Sequence, residues 1–463
     1  MFFVMVLRQR ASEWTLIMLK HLTSGNSRSI PSQSRPYTRL LSLLLVLIVP
    51  VFSVHAGVYA IKGKAIIDGL SNELLEQNVI LVEGNKIIAV GDSSIIPADA
   101  KIIDLPDATL MPGLIDCHAH PLMFEDDYQS GHISASSAYK ALKGLKSMQN
   151  LLDAGWTSIR VMGDADVFYG NQDIRRVIDE GVFAGPRITG AAHYLSITGG
   201  GGDINYMSPE QNLIADGLIV DGADEIRKAI RNEVKYGSDW IKLLVTGAFL
   251  SVGDSPKDVH FSALELETAM AEANRLGVPV AAHAHATEGI YMAVKAGVRS
   301  IEHGTYIDER TMKLMAKLGT FLVPTIYIGD MVVEESSDIR EKDINDDYYN
   351  NYRQMFLELV GKAHAKGVKV AVGVDLGGYN YDPTLSVREI KVLIEAGLTP
   401  MQAIQAGTSV GAELLQWQNK VGAIKVGLLA DIIAVKGNPL NNIALLEKVT
   451  FVMKDGKVIK NEH

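Results

Sequence analysis

Leu110-Met-Pro-Gly-Leu-Ile-Asp-Cys-His-Ala-His120 is an apolar run that stops at two histidines. In an extended strand, residues two apart face the same side. His118 and His120, at a strand's carboxyl end, can therefore present two imidazoles to one metal ion. Cys117, between them, points the other way and reads as packing. The fold then turns on whether neighbouring strands bring further ligands to the same end.

Downstream of this stretch the chain keeps a steady rhythm. Helical segments end at glycine and give way to apolar β-runs. The examples are Gly155-Trp-Thr-Ser-Ile-Arg-Val-Met162, Gly237-Ser-Asp-Trp-Ile-Lys-Leu-Leu-Val245 and Gly277-Val-Pro-Val-Ala-Ala-His283. Gly297-Val-Arg-Ser-Ile-Glu-His303, Gly319-Thr-Phe-Leu-Val-Pro324 and Gly367-Val-Lys-Val-Ala-Val-Gly-Val-Asp375 follow. Glycine closes a helix in the left-handed conformation. Near-continuous apolar strands imply burial on both faces and hence a parallel sheet. With Leu110–Ile115 and Pro186–His193, the runs number eight. Eight strands alternating with helices predict an α/β protein with a (β/α)8 TIM barrel over residues 112–410. A doubly wound open sheet is the structural alternative.

The two ends share another style. Residues 57–111 hold short apolar runs joined by turn residues, with a hairpin signal at Glu83-Gly-Asn-Lys86. Residues 411–463 repeat it in Ala430-Asp-Ile-Ile-Ala-Val435 and Val449-Thr-Phe-Val-Met-Lys-Asp-Gly-Lys-Val-Ile459. The expectation is one small β-sandwich domain built from both chain ends, with the barrel inserted between them.

Residues 1–56 read as a secretory signal peptide. Arg28, Arg35 and Arg39 precede the apolar run Leu40–Val54, which ends in Val54-His-Ala56 before Gly57. Met18 is an alternative start, and a retained anchor the alternative reading. Removing this segment takes away six basic residues and one acid, so the charge falls from −10 to −15. So acidic an exterior disfavours nucleic acid and, after signal cleavage, anionic membranes. One cysteine forms no internal disulfide, so an exported chain of this kind relies on its core or on bound metal. The expected location is the periplasm or the medium.

Five histidines fall at the ends of the expected strands: His118 and His120 on the first, His193 on the third, His283 on the fifth and His303 on the sixth. Lys242 interrupts the apolar fourth run and Asp375 closes the eighth. Singly, each has an ordinary structural explanation. Together they lie in register on strands one, four, five, six and eight, and barrel enzymes draw their catalytic groups from the ends of several strands. Imidazole and carboxylate suit first-row metals. An ammonium has no lone pair, so Lys242 can serve only after losing its proton or becoming a carbamate with carbon dioxide. His285 shares the face of His283 and reads as a residue behind the ligands or facing the substrate. His260 and His364 read as ordinary surface or helix residues.

The pattern resembles the amidohydrolase superfamily across the whole chain after residue 56. The resemblance rests on Met111-Pro-Gly-Leu-Ile-Asp-Cys-His-Ala-His120, on the two-part β-domain and on Val426-Gly-Leu-Leu-Ala-Asp-Ile-Ile-Ala-Val435. Trp240-Ile-Lys242, Val280-Ala-Ala-His-Ala-His-Ala-Thr-Glu-Gly-Ile290 and Ser300-Ile-Glu-His-Gly304 look most like the branch of metal-dependent dipeptidases and carboxypeptidases acting on Xaa-Pro, Xaa-Arg or Xaa-Lys. The resemblance implies two divalent metal ions, typically zinc. His118, His120 and Asp375 would hold one, His283 and His303 the other, and Lys242 carboxylated by carbon dioxide would bridge them. It implies hydrolysis of an amide bond by a metal-activated water, with Asp375 relaying the proton. His193 and Tyr291 would help to hold a small peptide or N-acyl amino acid. The Gly199–Gly202 run departs from the pattern, where a histidine is expected among the glycines. The acidic connection 329–350 hints at a basic substrate side chain, and oligomeric state, homo-oligomers included, stays open. A hydrolase of cyclic amides, imidazolonepropionase-like, or of N-acyl amino acids is the rival within the superfamily. A non-catalytic metal-binding protein is the rival outside it.

Overall fold

The computed structural model describes residues 57–123, 128–335, 348–375 and 382–463. The expected signal peptide, and most of the acidic run of the connection 329–350, lie outside the described residues. Among the described residues, no helix is long and apolar enough to cross a membrane.

The chain opens with six short strands: β1 (Tyr59–Lys62), β2 (Ala65–Ile66), β3 (Val79–Glu83), β4 (Lys86–Gly91), β5 (Lys101–Asp104) and β6 (Ala108–Pro112). Next come β7 (Leu114–Ala119), β8 (Trp156–Met162), β9 (Arg187–Ala191), β10 (Tyr194–Ser196) and β11 (Leu218–Ile219). They are followed by β12 (Ile241–Leu244), β13 (Val280–Ala284), β14 (Ser300–His303) and β15 (Phe321–Val323). The last three are β16 (Ile432–Lys436), β17 (Val449–Lys454) and β18 (Lys457–Asn461).

The first and last strands make two sheets, ordered β4-β3-β1-β5 and β18-β17-β16-β6-β2. The second is built from both chain ends, with β16 pairing antiparallel to β6 from Ile432↔Pro112 to Lys436↔Ala108. The expected hairpin at Glu83-Gly-Asn-Lys86 is present. Its C-terminal counterpart turns on Asp455 and Gly456, both at positive φ (49° and 72°), as a tight two-residue hairpin requires. Ile61, Ile80, Val82, Leu110, Ile432, Phe451 and Met453 form one buried apolar cluster drawn from both sheets.

The middle of the chain is α/β, with parallel strands in two sheets, β7-β8-β9 and β11-β10-β12-β13-β14-β15. The helix Ala263–Leu276 shows how the connecting helices form. Ser262 and Glu265 make a capping box at its start, and Leu266, Ala269, Met270 and Ala273 bury one face. Gly277 then ends it at φ 73°.

The expected closed ring of eight regular strands is not formed as one continuous ladder, and the departures have identifiable causes. The Leu110–Ile115 run is divided at Gly113, so that β6 joins the end sheet and β7 the parallel one. The third run breaks at Ala192–His193, because side chains capture its amides. Ala192 N–H donates to Glu233 and to Ser238 Oγ (2.8 Å), and His193 N–H donates to Glu233 (3.1 Å). The eighth run, residues 370–375, has no regular strand. It is tied to β15 by Ala371 N–H to Leu322 O and to β7 by Cys117 N–H to Val372 O and Asp375 N–H to His118 O. Its Val374 N–H is taken by the Asp116 carboxylate at 3.1 Å.

Candidate metal centre

The carboxyl ends of the parallel strands bring the expected ligands together. His118 lies on β7, with His120 just beyond it. Lys242 lies on β12, His283 on β13 and His303 at the last position of β14. Two groups of ligand atoms result, each lying within 4.8 Å of one another: His118, His120 and Asp375, and His283, His285 and His303. Asp375 Oδ1 stands 3.4 Å from His118 Nε2 and 3.1 Å from His120 Nε2. The groups adjoin, with the His118 and His303 ring centroids 5.2 Å apart. Lys242, almost fully buried, has its Nζ 3.4 Å from His118 Nε2. His285 thus joins the second group directly, its ring stacked on His303 at 4.8 Å.

The tautomers fit a cation. His118 Nδ1 is 2.8 Å from the Glu302 carboxylate, and His120 Nδ1 contacts the Gly163 carbonyl. Both partners can only accept, so both Nδ1 atoms carry the proton and both Nε2 atoms turn a lone pair inward. Those Nε2 atoms are 3.2 Å apart. Two lone pairs and a carboxylate converging on one point in a buried site call for positive charge. His283 donates from Nε2 to the Gly247 carbonyl at 3.2 Å, which turns its Nδ1 the other way. The donor set of two imidazole groups and one carboxylate therefore fits divalent first-row ions.

Burial holds the rings neutral. It pushes His118, His283 and His303 well below the ordinary imidazole value, helped at each by the Lys242 charge, and takes His285 down to about 3. Burial also lowers Lys242, to about 8. Burial acts to raise the Asp375 carboxyl, but His118, His120 and Lys242 outweigh it and hold the group far below the usual carboxylate range.

Two candidate ligands and one residue that supports a ligand carry backbone strain. His303, Thr325 and Asp375 sit at φ 68°, 51° and 63°, the left-handed region that non-glycine residues avoid. His303 Nδ1 meets the Thr325 hydroxyl at 2.7 Å.

His193 is buried with its Nδ1 2.8 Å from Glu233 and its ring edge-on to Tyr169 at 4.8 Å. Its Nε2 is buried and has no protein partner. Burial lowers its pKa, but the Glu233 carboxylate prevails and raises it. Tyr291, on the helix Thr287–Ala296, packs instead under the Arg310 guanidinium, 3.6 Å from its ring centroid. In the Gly199–Gly202 run, a side chain at Gly200 would stand 3.1 Å from His260 Nδ1, so a histidine from the following loop borders the place where one is expected in the run. That Nδ1 is buried without a partner.

Several supporting residues escaped the sequence reading. Glu302 holds His118 and is itself held by Arg160, at 2.8 and 2.9 Å, both side chains being wholly buried. Arg160 also donates to Cys117 O and Ser300 Oγ and lies over Trp240. Asp116 accepts from the His118 and Val374 amides, locking β7 to the eighth run. A signal existed: Arg160 and Glu302 are opposite charges in two apolar strands, and buried charges require partners.

Known proteins fit this geometry. The family model described as Amidohydrolase family matches residues 109–459. An ochratoxinase of Aspergillus niger is 32% identical over 418 residues, 83% of each chain. An imidazolonepropionase of Acinetobacter baumannii is 24% identical over 400 residues, 78% of this chain and 88% of the relative. Among solved structures, a Xaa-Pro dipeptidase with methionine bound in its active site superposes with a TM-score of 0.80 at 35% identity. It covers 88% of this chain and 100% of its own.

Proposed function

The chain belongs to the amidohydrolase family and is a hydrolase of carbon–nitrogen bonds acting on amides, and from that premise we propose that it is an exported dipeptidase or carboxypeptidase of the Xaa-Pro or Xaa-Arg/Lys type, dependent on two metal ions. The observation that carries this reading is the convergence of two buried ligand groups with Lys242 against the first. Similarity to a Xaa-Pro dipeptidase with a bound amino acid supports an amino-acid product. In this reading the parallel strands are a (β/α)8 barrel with irregular third and eighth members, and the end sheets are a β-sandwich. Residues 1–56 direct the chain to the periplasm or the medium.

His118, His120 and Asp375 would hold one ion, typically zinc, and His283 and His303 the other. Lys242, as a carbamate, offers oxygens where an ammonium would repel the cations. Metal held there would supply Lewis-acid chemistry: a polarised amide oxygen and a water whose pKa falls from about 15.7 towards neutrality.

The chain's own groups do the rest. Asp375 takes the proton of the attacking water and passes it to the leaving nitrogen. It suits the task because it stands beside the first ligand group and its side chain is 20% exposed, within reach of a water and a leaving group. His285 adds a nitrogen facing the substrate. His193 gives Nδ1–H to Glu233, whose carboxylate raises its pKa, and in the protonated form its partnerless Nε2–H can donate to a substrate carboxylate or carbonyl. His118, His283, His285 and His303, their pKa values lowered by burial, stay neutral at physiological pH.

The test is a panel of Xaa-Xaa dipeptides assayed beside N-acyl amino acids and cyclic amides, with metals quantified in the same preparation. Turnover of dipeptides with about two ions per chain supports the reading. A metal-replete preparation that cleaves only cyclic amides moves the chain to the second reading, which the imidazolonepropionase similarity favours.

A further inference from the structure

One feature beside the second ligand group has no part in holding metal or moving protons. Phe249 lies with its ring edge-on to His285, centroids 4.7 Å apart, and packs against Tyr352 at 5.4 Å. Tyr352 in turn stands 3.5 Å from the Thr305 hydroxyl, which binds His285 Nδ1 at 2.8 Å. Phe249 therefore meets a histidine of the candidate centre ring to ring, with Tyr352 packed behind it. Phe249 is nevertheless 48% exposed, so about half of an apolar ring faces open space next to a buried site.

The loop that carries Phe249 is built to hold it there. Thr246 bridges to Val259, and Gly247 N–H donates to Asp258 O. A side chain at Gly247 would run into the Ser255 carbonyl at 2.1 Å, so only glycine fits that close approach. Asp254 accepts from the Ser251 hydroxyl and from Ala248 N–H. Its carboxylate is thus engaged in closing the loop. The neighbours Leu250 and Val252 are also exposed and apolar. A ligand side chain laid on Phe249 meets hydrocarbon and aromatic faces, with specificity resting on removal of apolar area from water.

We propose that Phe249, backed by Tyr352, forms a wall of a subsite for an apolar, preferably aromatic, side chain of the substrate. The proposal rests on the reading of the site as a hydrolase of amino-acid amides, and it selects among its substrates against Arg and Lys. Phe249 is a specificity-determining residue: it touches the substrate side chain and leaves the reacting bond to Asp375 and the metal ligands.

The experiment compares kcat/KM of the metal-loaded enzyme for Ala-Xaa, Xaa-Ala and N-acetyl-Xaa series with Xaa as Phe, Leu, Pro and Arg. In parallel, binding of L-phenylalanine and L-arginine is measured by calorimetry. In at least one series Phe is expected to exceed Arg by about tenfold or more, the scale an apolar pocket supplies. Phe249→Ala is expected to reduce that ratio to within about threefold, mainly through KM, and to weaken L-phenylalanine binding, while Phe249→Tyr retains both. Equal or better turnover of the Arg substrates, or an unchanged ratio in Phe249→Ala, overturns the proposal. If no series is hydrolysed, the functional reading fails on its own and calorimetry decides the subsite. Tighter binding of L-phenylalanine than of L-arginine, lost in Phe249→Ala, supports it, and equal binding by both proteins overturns it.

Discussion

His303 and Thr325 are joined ring to hydroxyl at 2.7 Å, and both hold the left-handed backbone conformation. A β-branched residue there costs of order 1–3 kcal/mol, so the surroundings must over-determine it. The Glu389 carboxylate does so from outside, accepting from the Ile326 and Tyr327 amides immediately after Thr325. The strain places a hydroxyl where it can orient the imidazole.

Thr325→Val keeps the branching, and hence the strain, but deletes the hydroxyl. Groups that orient a metal-bound histidine are worth about 10–100-fold in metal affinity. The expected outcome is a loss of that order, read by competition with a chelator, while Thr325→Ser binds as the parent does. Equal affinity in the Val variant would show that His303 is held by packing alone.

Arg160 and Glu302 form a buried ion pair, and removal of one partner strands the other. Arg160→Met is expected to cost about 3–5 kcal/mol in denaturant unfolding. The double variant Arg160→Met with Glu302→Gln should cost less than the two single changes added together, because the lone charge is gone. Simple additivity would mean that the pair is uncoupled.

Asp375→Asn keeps an oxygen on the first ligand group but cannot accept a proton. Metal content close to that of the parent is expected, with kcat reduced by about 10²–10⁴. An unchanged kcat removes Asp375 from proton transfer.

Lys242→Ala deletes the only side chain on β12 that reaches the histidines with a nitrogen. Activity should be lost, then partly restored by short carboxylates that fill the space with oxygens. A variant with full metal and full activity contradicts the carbamate.

Asp216 lies in the connection after β10, well buried, and burial pushes its carboxyl up to about 7 against the pull of Gln129. Below the ordinary value of 3.8 both folded and unfolded chains hold this proton. Between there and about 7 only the folded chain does, so stability falls as pH rises, and the loss is complete above about 7. Asp216→Asn should flatten that slope in melts from pH 4 to 8. Parallel curves for the two proteins would contradict it.

The residues that the structure gathers at the candidate centre were legible because each but Lys242, which interrupts a run, is a polar residue at the end of an apolar run, and the runs announce their own endings. The alternation of helix, glycine and strand carried the α/β class for the same reason. What the sequence could not convey was connectivity decided by side chains. Glu233 and Ser238 take the amides that would have continued the third strand, and Asp116 takes one from the eighth. Those residues look like ordinary helix or strand polar groups until their partners are known. His285 was read as lying behind the ligands or facing the substrate, and its closeness to His283 and His303 was not legible because periodicity gives a face, not a distance. Tyr291 was given a substrate contact on the strength of resemblance, and its ring is engaged by Arg310.

The pairing of β16 with β6 has a consequence for how the chain is made. As the protein leaves the ribosome, β6 emerges more than three hundred residues before its neighbour, and one flank of that early sheet must wait, unpaired, for the whole central unit to be synthesised. Chaperone holding during this interval, and early termination before residue 432, are where production of the enzyme is most exposed to aggregation along that bare flank.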